Sequence, residues 1–287
     1  MSKSKLQSKT RAQNSSPSSV ASQNQWPFDK YKLYSQAVQS ADGDVEFFAN
    51  TYKELRGRAG RVLREDFCGT FMLSCEWVKM HRENRAYGID IDREPIDYGN
   101  KNYLPKLSES QQSRLSIIEK SVLDNSLPRV DISVAMNFSY FLFKERNLLK
   151  AYFTNVYEHL HRDGIFILDI FGGTQCHQAI QDRTEKGKFV YYWDQKGFDP
   201  ITGYADFSIH FKVGKKKYND VFTYDWRMWS IPEVRDILLE VGFKMFTPIG
   251  KALLAMAPGM ENSHGPKLVN PACLGSPTLL ELGRAQI

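Results

Sequence analysis

The distribution of apolar positions divides the chain at Trp26. Before it, residues 1–25 carry Ser, Gln and Lys with almost no large apolar side chain, a composition that predicts a disordered basic tail because too little surface can be buried to offset chain entropy. After it, apolar residues recur at helical and strand periods in alternation. Two short helices are predicted over 29–38 and 45–55, the second with Phe47, Phe48, Tyr52 and Leu55 on one face. A strand at 61–65, a helix at 71–81, a strand at 86–90 and a helix at 94–104 follow, then strands at 115–119 and 130–136. The helix predicted over 144–160 has the plainest periodicity, carried by Leu148, Leu149, Tyr152, Phe153, Val156 and Leu160. A turn at 160–164 leads into 164–170, a nearly continuous apolar run of the kind found in central parallel strands.

Residues 188–229 break this rhythm. Segments 189–194, 204–213 and 221–229 are rich in aromatic and β-forming residues, and turn-forming stretches separate them. They predict a three-stranded antiparallel insertion after the fifth strand. Ser230 and Glu233 then form a capping box for a helix whose inner face is Val234, Ile237, Leu238 and Val241, with Gly242 as its stop. A last strand is expected at 243–247. Residues 251–257 either pair back on it or form a helical turn, and 258–287 reads as an irregular tail. Repeated strand–helix units of this order predict the α/β class: a Rossmann-like, doubly wound, mostly parallel sheet with right-handed crossovers. The main domain spans 26–257, and 188–229 forms a lid upon it.

Composition narrows the setting. No apolar run approaches the roughly 18 residues needed to cross a bilayer. No signal-peptide core is visible, so a cytoplasmic protein is expected, with organelle targeting by the acid-free tail as the alternative. Lys3, Lys5, Lys9 and Arg11 account for most of the net charge of +5. The remainder is near neutral, which argues against a large nucleic-acid-binding face. Cys68, Cys75, Cys176 and Cys273 form no metal-ligand spacing, so reduced thiols and no metal are expected.

The richest segment joins the first strand to the first helix of the alternation: Val62-Leu63-Arg64-Glu65-Asp66-Phe67-Cys68-Gly69-Thr70. A loop passing close to a ligand at the carboxyl end of a strand needs glycine where a side chain would collide. Asp90 closes the next strand, where an acid can accept both hydroxyls of a ribose. In this pattern the chain resembles class I S-adenosylmethionine-dependent methyltransferases, and 63–70 resembles a bacterial subgroup whose substrate is unassigned. The resemblance covers roughly 31–247. It implies that Glu65 lies near the methionine amino group and that Cys68, Gly69 and Thr70 pass beside the cofactor. It also implies that Asp90 holds the ribose, Ile91 packs on the adenine, Ser121 and Val122 contact the adenine, and Asn137 and Phe138 belong to the family's fourth motif. One departure stands out. The family's first motif carries two or three glycines, and here Phe67 and Phe71 occupy the flanking positions. A pyrophosphate cradle needs several close backbone approaches, so NAD or FAD fits poorly. Adenosylmethionine has no phosphate.

Methyl transfer is an in-line displacement that needs alignment and exclusion of water more than a catalytic triad, and no catalytic residue is assigned. Asn137-Phe138-Ser139-Tyr140 lacks the prolines of nucleic-acid amino-methyltransferases, which favours a small-molecule acceptor. By resemblance Tyr31 and Tyr34 close over the site, and Tyr140, Tyr224, Arg227 and Trp229 are expected to line the acceptor pocket. The basic tail keeps RNA or protein as an alternative acceptor, and the missing glycines keep a non-catalytic adenosylmethionine-binding module as another.

Overall fold

The computed structural model describes residues 26–173, 175–249 and 252–256. The expectations for 1–25, for 258–287 and for Cys273 lie outside the described residues. Helix α1 (Lys30–Val38) comes first, capped by Asp29, which accepts from the Lys32 N–H at 2.9 Å. Helix α2 (Ala41–Arg56) stops at Gly57, whose φ of 67° suits glycine. Strands and helices then alternate as β1 (Val62–Asp66), α3 (Met72–Met80), β2 (Arg85–Asp90), α4 (Arg93–Asn102), the single turn α5 (Glu109–Gln112), β3 (Leu115–Glu119), β4 (Val130–Ala135), α6 (Arg146–Glu158) and β5 (Leu160–Asp169). Next come β6 (Ile180–Lys186), β7 (Phe189–Phe198), β8 (Tyr204–Val213) and β9 (Lys216–Arg227), followed by α7 (Ile231–Val241), β10 (Met245–Ile249) and β11 (Ala252–Met256).

The main sheet has seven strands in the order β10-β11-β5-β4-β1-β2-β3. From β3 to β5 the neighbours are parallel, and β11 runs antiparallel to both β5 and β10. The chain steps outward from β1 to β3, then returns to β4 on the other side of β1, so the carboxyl ends of β1 and β4 flank a topological switch point. Both faces are covered. On β5, Ile165 and Ile167 join a core with Phe48, Tyr52 and Trp77 from α2 and α3. The alternate residues Phe166 and Leu168 join a second core with Tyr152, Phe153, Ile237 and Leu238 from α6 and α7. This is the period-two division of a strand between two layers.

Two details depart from the sequence expectations, and a third decides between the two alternatives left for 251–257. The insertion has four strands, in the order β6-β7-β8-β9. Its first strand, Ile-Gln-Asp-Arg-Thr-Glu-Lys, is an edge strand exposed along most of its length, so no apolar alternation marks it. The expected turn at 160–164 is a bulge inside β5: Leu160 pairs with Val130, and the next partners are Ile165 and Ile132. The segment after β10 forms strand β11, placed between β5 and β10. The capping box of α7 is formed as expected, and Gly242 ends that helix at φ 118°.

The four-stranded sheet lies against α1 through Phe189, Tyr191, Ile209, Phe211 and Val221, which pack with Phe28, Leu33, Tyr34 and Val38. At its other end Trp193, Phe207 and Trp226 join the core below β4 and β5. Helix α1 and this sheet together therefore roof the carboxyl edge of the main sheet.

Candidate functional site

Strand β1 delivers the chain into a loop whose backbone repeats one unusual conformation. Phe67, Gly69 and Phe71 have φ of 55°, 52° and 50°. Two of these left-handed positions are therefore held by phenylalanine, at a cost of roughly 1–2 kcal/mol each. The two rings leave the crevice in opposite directions. Phe67 packs on Tyr152 and Phe143, with ring centroids 5.3 and 6.0 Å away. Phe71 is fully buried in the core of α2 and α3, against Gly99 of α4, where an added Cβ would meet the ring at 2.3 Å and the Thr70 carbonyl oxygen at 2.5 Å. Between them Gly69 faces open space: a Cβ built there meets nothing within 4 Å.

Asp90 holds this loop in place. The Gly69 N–H donates to Asp90 Oδ2 at 2.7 Å, and the Asp92 N–H donates to Oδ1 at 2.9 Å. The Cys68 N–H donates to the Ile89 carbonyl at 3.0 Å, and the buried Cys68 thiol faces Gly88. Burial raises the Asp90 carboxyl above its ordinary value, and it pushes Glu65 up to about 8 even though Glu65 Oε2 accepts from Ser74 N–H and Oγ–H at 2.9 and 2.6 Å. Ile91 lies exposed at the end of β2. Ser121 is exposed and Val122 buried where the chain leaves β3, adjoining β2 through the Lys120 N–H bond to the Asp90 carbonyl.

A second acid organises the neighbouring strands. Asp169, at the end of β5, accepts from the N–H groups of Asn137 and Phe138 at 2.7 and 2.8 Å and holds both residues at φ 58°. Burial raises its carboxyl to about 7, with Asp44 of α2 adding to the shift. Helix α1 spans the two acids. Tyr31 packs at a tilt against Tyr98 of α4, 4.8 Å between ring centroids, and feels the charges of Glu94, Asp92 and Asp90, whereas Tyr34 lines the same cavity as Tyr224 and feels the charge of Asp169. Burial is the main reason that the Tyr34 hydroxyl is pushed up to about 12.

Beside Asp169 a cavity of about 200 Å³ opens beneath the four-stranded sheet. Asn137, Phe138, Tyr34, Tyr224 and Trp226 line it, as do Phe171, Trp193 and Asp182, which no pattern in the sequence marks as lining residues. The signal for Asp169 was present as the one charge interrupting the apolar run of β5. Three expected acceptor contacts lie elsewhere. Tyr140 is fully buried in the core and donates to the Asp169 carbonyl at 2.9 Å. Arg227 donates to the Lys144 carbonyl and to Glu233, and stacks on Trp229 at 3.8 Å. Trp229 is itself buried and donates to the Phe143 carbonyl at 3.0 Å. Arg227 and Trp229 follow the cavity-lining part of β9 and tie it to α7 and to the entry of α6.

No family model matches the chain, and no curated protein matches it in sequence. Solved structures do match in shape. An S-adenosylmethionine-dependent methyltransferase from Clostridium acetobutylicum ATCC 824 superposes with a TM-score of 0.60 at 16% identity, covering 80% of this chain and 97% of that one. CalS10, an amino pentose methyltransferase from Micromonospora echinaspora bound to its cofactor, gives 0.64 at 10% identity, covering 82% and 99%. DesVI from Streptomyces venezuelae gives 0.65 at 14% identity, covering 82% and 100%. The chain has the S-adenosylmethionine-dependent methyltransferase fold. Within the methyltransferase fold the left-handed loop, Asp90 and the cavity are neighbours along the carboxyl edge of one sheet. Among the described residues no helix is long and apolar enough to cross a membrane.

Proposed function

We propose that this protein transfers a methyl group from S-adenosylmethionine to a small-molecule acceptor held in the cavity beside Asp169. The observation that carries the reading is the 2.7 Å contact of Gly69 with Asp90 at the edge of an open crevice. The residues suit the cofactor. Asp90 uses one lone pair of each oxygen on backbone N–H groups and keeps capacity for both ribose hydroxyls. Both Ser74 bonds fall on one oxygen of Glu65, which leaves the other for an ammonium group. Ile91, Ser121 and Val122 stand at the adenine end, and Asn137 and Phe138 at the cavity end. When bound, the cofactor supplies an electrophilic methyl carbon: the acceptor's lone pair forms the new bond while the electrons of the carbon–sulfur bond return to sulfur. The protein's part is alignment under α1 and exclusion of water by the aromatic roof. At about 200 Å³ the cavity falls below the roughly 300–1,000 Å³ of drug-sized sites, in keeping with a compact acceptor. Calorimetric titration with S-adenosylmethionine and S-adenosylhomocysteine tests the reading. Saturable heat from both is expected, and no heat at high micromolar ligand defeats it.

A further inference from the structure

The lining of the cavity has a definite chemistry. Among the described residues it contains no Lys, Arg or His, while Asp169 and Asp182 stand in its wall. Asp44, whose carboxyl is itself raised to about 6 by burial and by Asp42, adds its charge to the field at Asp169. The remaining wall is mainly aromatic. Trp193 lies 6.0 Å from Tyr224, 6.3 Å from Trp226 and 5.9 Å from Phe171 between ring centroids, and Tyr224 lies 4.5 Å from Trp226. The Trp193 indole N–H is buried and has no hydrogen-bond partner. A buried donor of this kind costs stability unless something accepts from it.

An anionic acceptor entering here would meet like charge and no compensating donor beyond neutral N–H and O–H groups. A cation would meet two carboxylates and several ring faces, and aromatic faces attract cations most strongly where water is excluded. We propose that the methyl acceptor is a small organic amine, carried on a compact apolar body, with its ammonium group drawn to Asp169 and its body held between Trp193, Trp226 and Tyr224. The proposal rests on the methyl-transfer reading of the adjoining crevice. An ammonium has no lone pair to give. Asp169 takes one proton from it, becoming the neutral acid, and the nitrogen is left with the electron pair that forms the new bond to carbon. The carboxyl is suited to this exchange because its burial already balances its charged and neutral forms near neutrality. The Trp193 N–H can donate to a neutral oxygen on the same body.

Calorimetry on the full chain with three matched probes tests the proposal: phenethylamine, phenethyl alcohol and phenylacetate. Phenethylamine is expected to bind at least about tenfold more tightly than the alcohol, with phenylacetate weakest. Asp169→Asn should reduce the amine preference to about twofold or less. Because Asp169 also holds the Asn137–Phe138 turn, Asp182→Asn on the exposed edge strand serves as a second variant, with a smaller loss of preference and an unchanged melting temperature. The proposal is overturned if the alcohol or the acid binds as well as the amine, or if the preference survives in both variants. It also fails if none of the probes gives heat up to about 10 mM, a weaker interaction than a specific small site should show. A parallel titration of the wild type with S-adenosylhomocysteine separates the two ideas. Cofactor binding without amine preference removes only the amine proposal, and absent cofactor binding removes the methyl-transfer reading.

Discussion

Gly69 and Asp90 meet through a single hydrogen bond, N–H to Oδ2 at 2.7 Å, that ties the loop after β1 to the end of β2. The bond sets the backbone of one and the carboxylate of the other on the same crevice. Asp90→Ala removes the proposed ribose acceptor and releases the loop. Two charge-assisted bonds of roughly 1.5–3 kcal/mol each would be lost, so the affinity for S-adenosylmethionine should fall at least about 100-fold while the far-ultraviolet dichroism is unchanged. An unaltered dissociation constant in this variant means that the ribose sits elsewhere.

The second prediction concerns Gly99. Its place in α4 lets the Phe71 ring and the Thr70 carbonyl approach, and an added Cβ would come within 2.5 Å of a backbone oxygen that cannot turn aside. Gly99→Ala should cost about 1–3 kcal/mol as overpacking and weaken cofactor binding by displacing the loop. Phe71→Gly would relieve the left-handed strain yet empty a fully buried site, so it too should destabilise, by about 2 kcal/mol or more. Denaturant unfolding of both variants is the check. A stabilised Phe71→Gly would show that strain outweighs packing in this loop.

The third is a pH dependence. Glu65 and Asp169 have folded-state values of about 8 and 7, raised above their ordinary range. The charges facing Glu65 are Asp90 and Asp66, and the charged or titratable groups facing Asp169 are Asp44, Tyr34 and Tyr140. A carboxyl raised by folding binds more protons folded than unfolded, so its stabilisation is complete below about pH 4 and is lost as pH climbs through its folded value. The melting temperature of the ligand-free protein should therefore fall by several degrees between about pH 5 and pH 8.5. Glu65→Gln should flatten part of that slope. A melting temperature that rises over this interval would contradict the burial of both carboxyls.

The fourth addresses Arg64 and Asp66, wholly buried in the central strand β1. Arg64 Nη2 donates to Asp66 Oδ2 at 3.0 Å, and Tyr152 and Ser133 donate to the same oxygen. Arg64→Met leaves the carboxylate without its counter-charge and should cost roughly 3–5 kcal/mol. Adding Asp66→Asn removes the remaining charge, keeps an acceptor for Tyr152, and should recover most of the loss in equilibrium unfolding. A double variant no better than the single one would assign the effect to packing.

Much of this molecule was legible in the order of its residues. Local rules suffice where a signal is contained within a few positions: the capping box of Ser230 and Glu233, the stop at Gly242, the continuous apolar run of a β5 buried on both faces, and the strand ends carrying Glu65 and Asp90. Other features arise only when distant segments meet. Strand β6 shows no apolar alternation because it is an exposed edge, and its partner β7 supplies its pairing. The directions of the Phe67 and Phe71 rings depend on Tyr152 and Gly99, which are far away in the chain. Tyr224, Arg227 and Trp229 are expected to share one acceptor pocket, whereas the tertiary structure sends Tyr224 to the cavity, beside Trp226, and Arg227 and Trp229 to α7 and the entry of α6. Periodicity and end signals thus determined the elements and their chain order, since both arise from short-range sterics and hydrogen bonding. Which side chains share the cavity was decided by the packing of the second sheet and α1 over the first, because burial depends on neighbours that local sequence does not name.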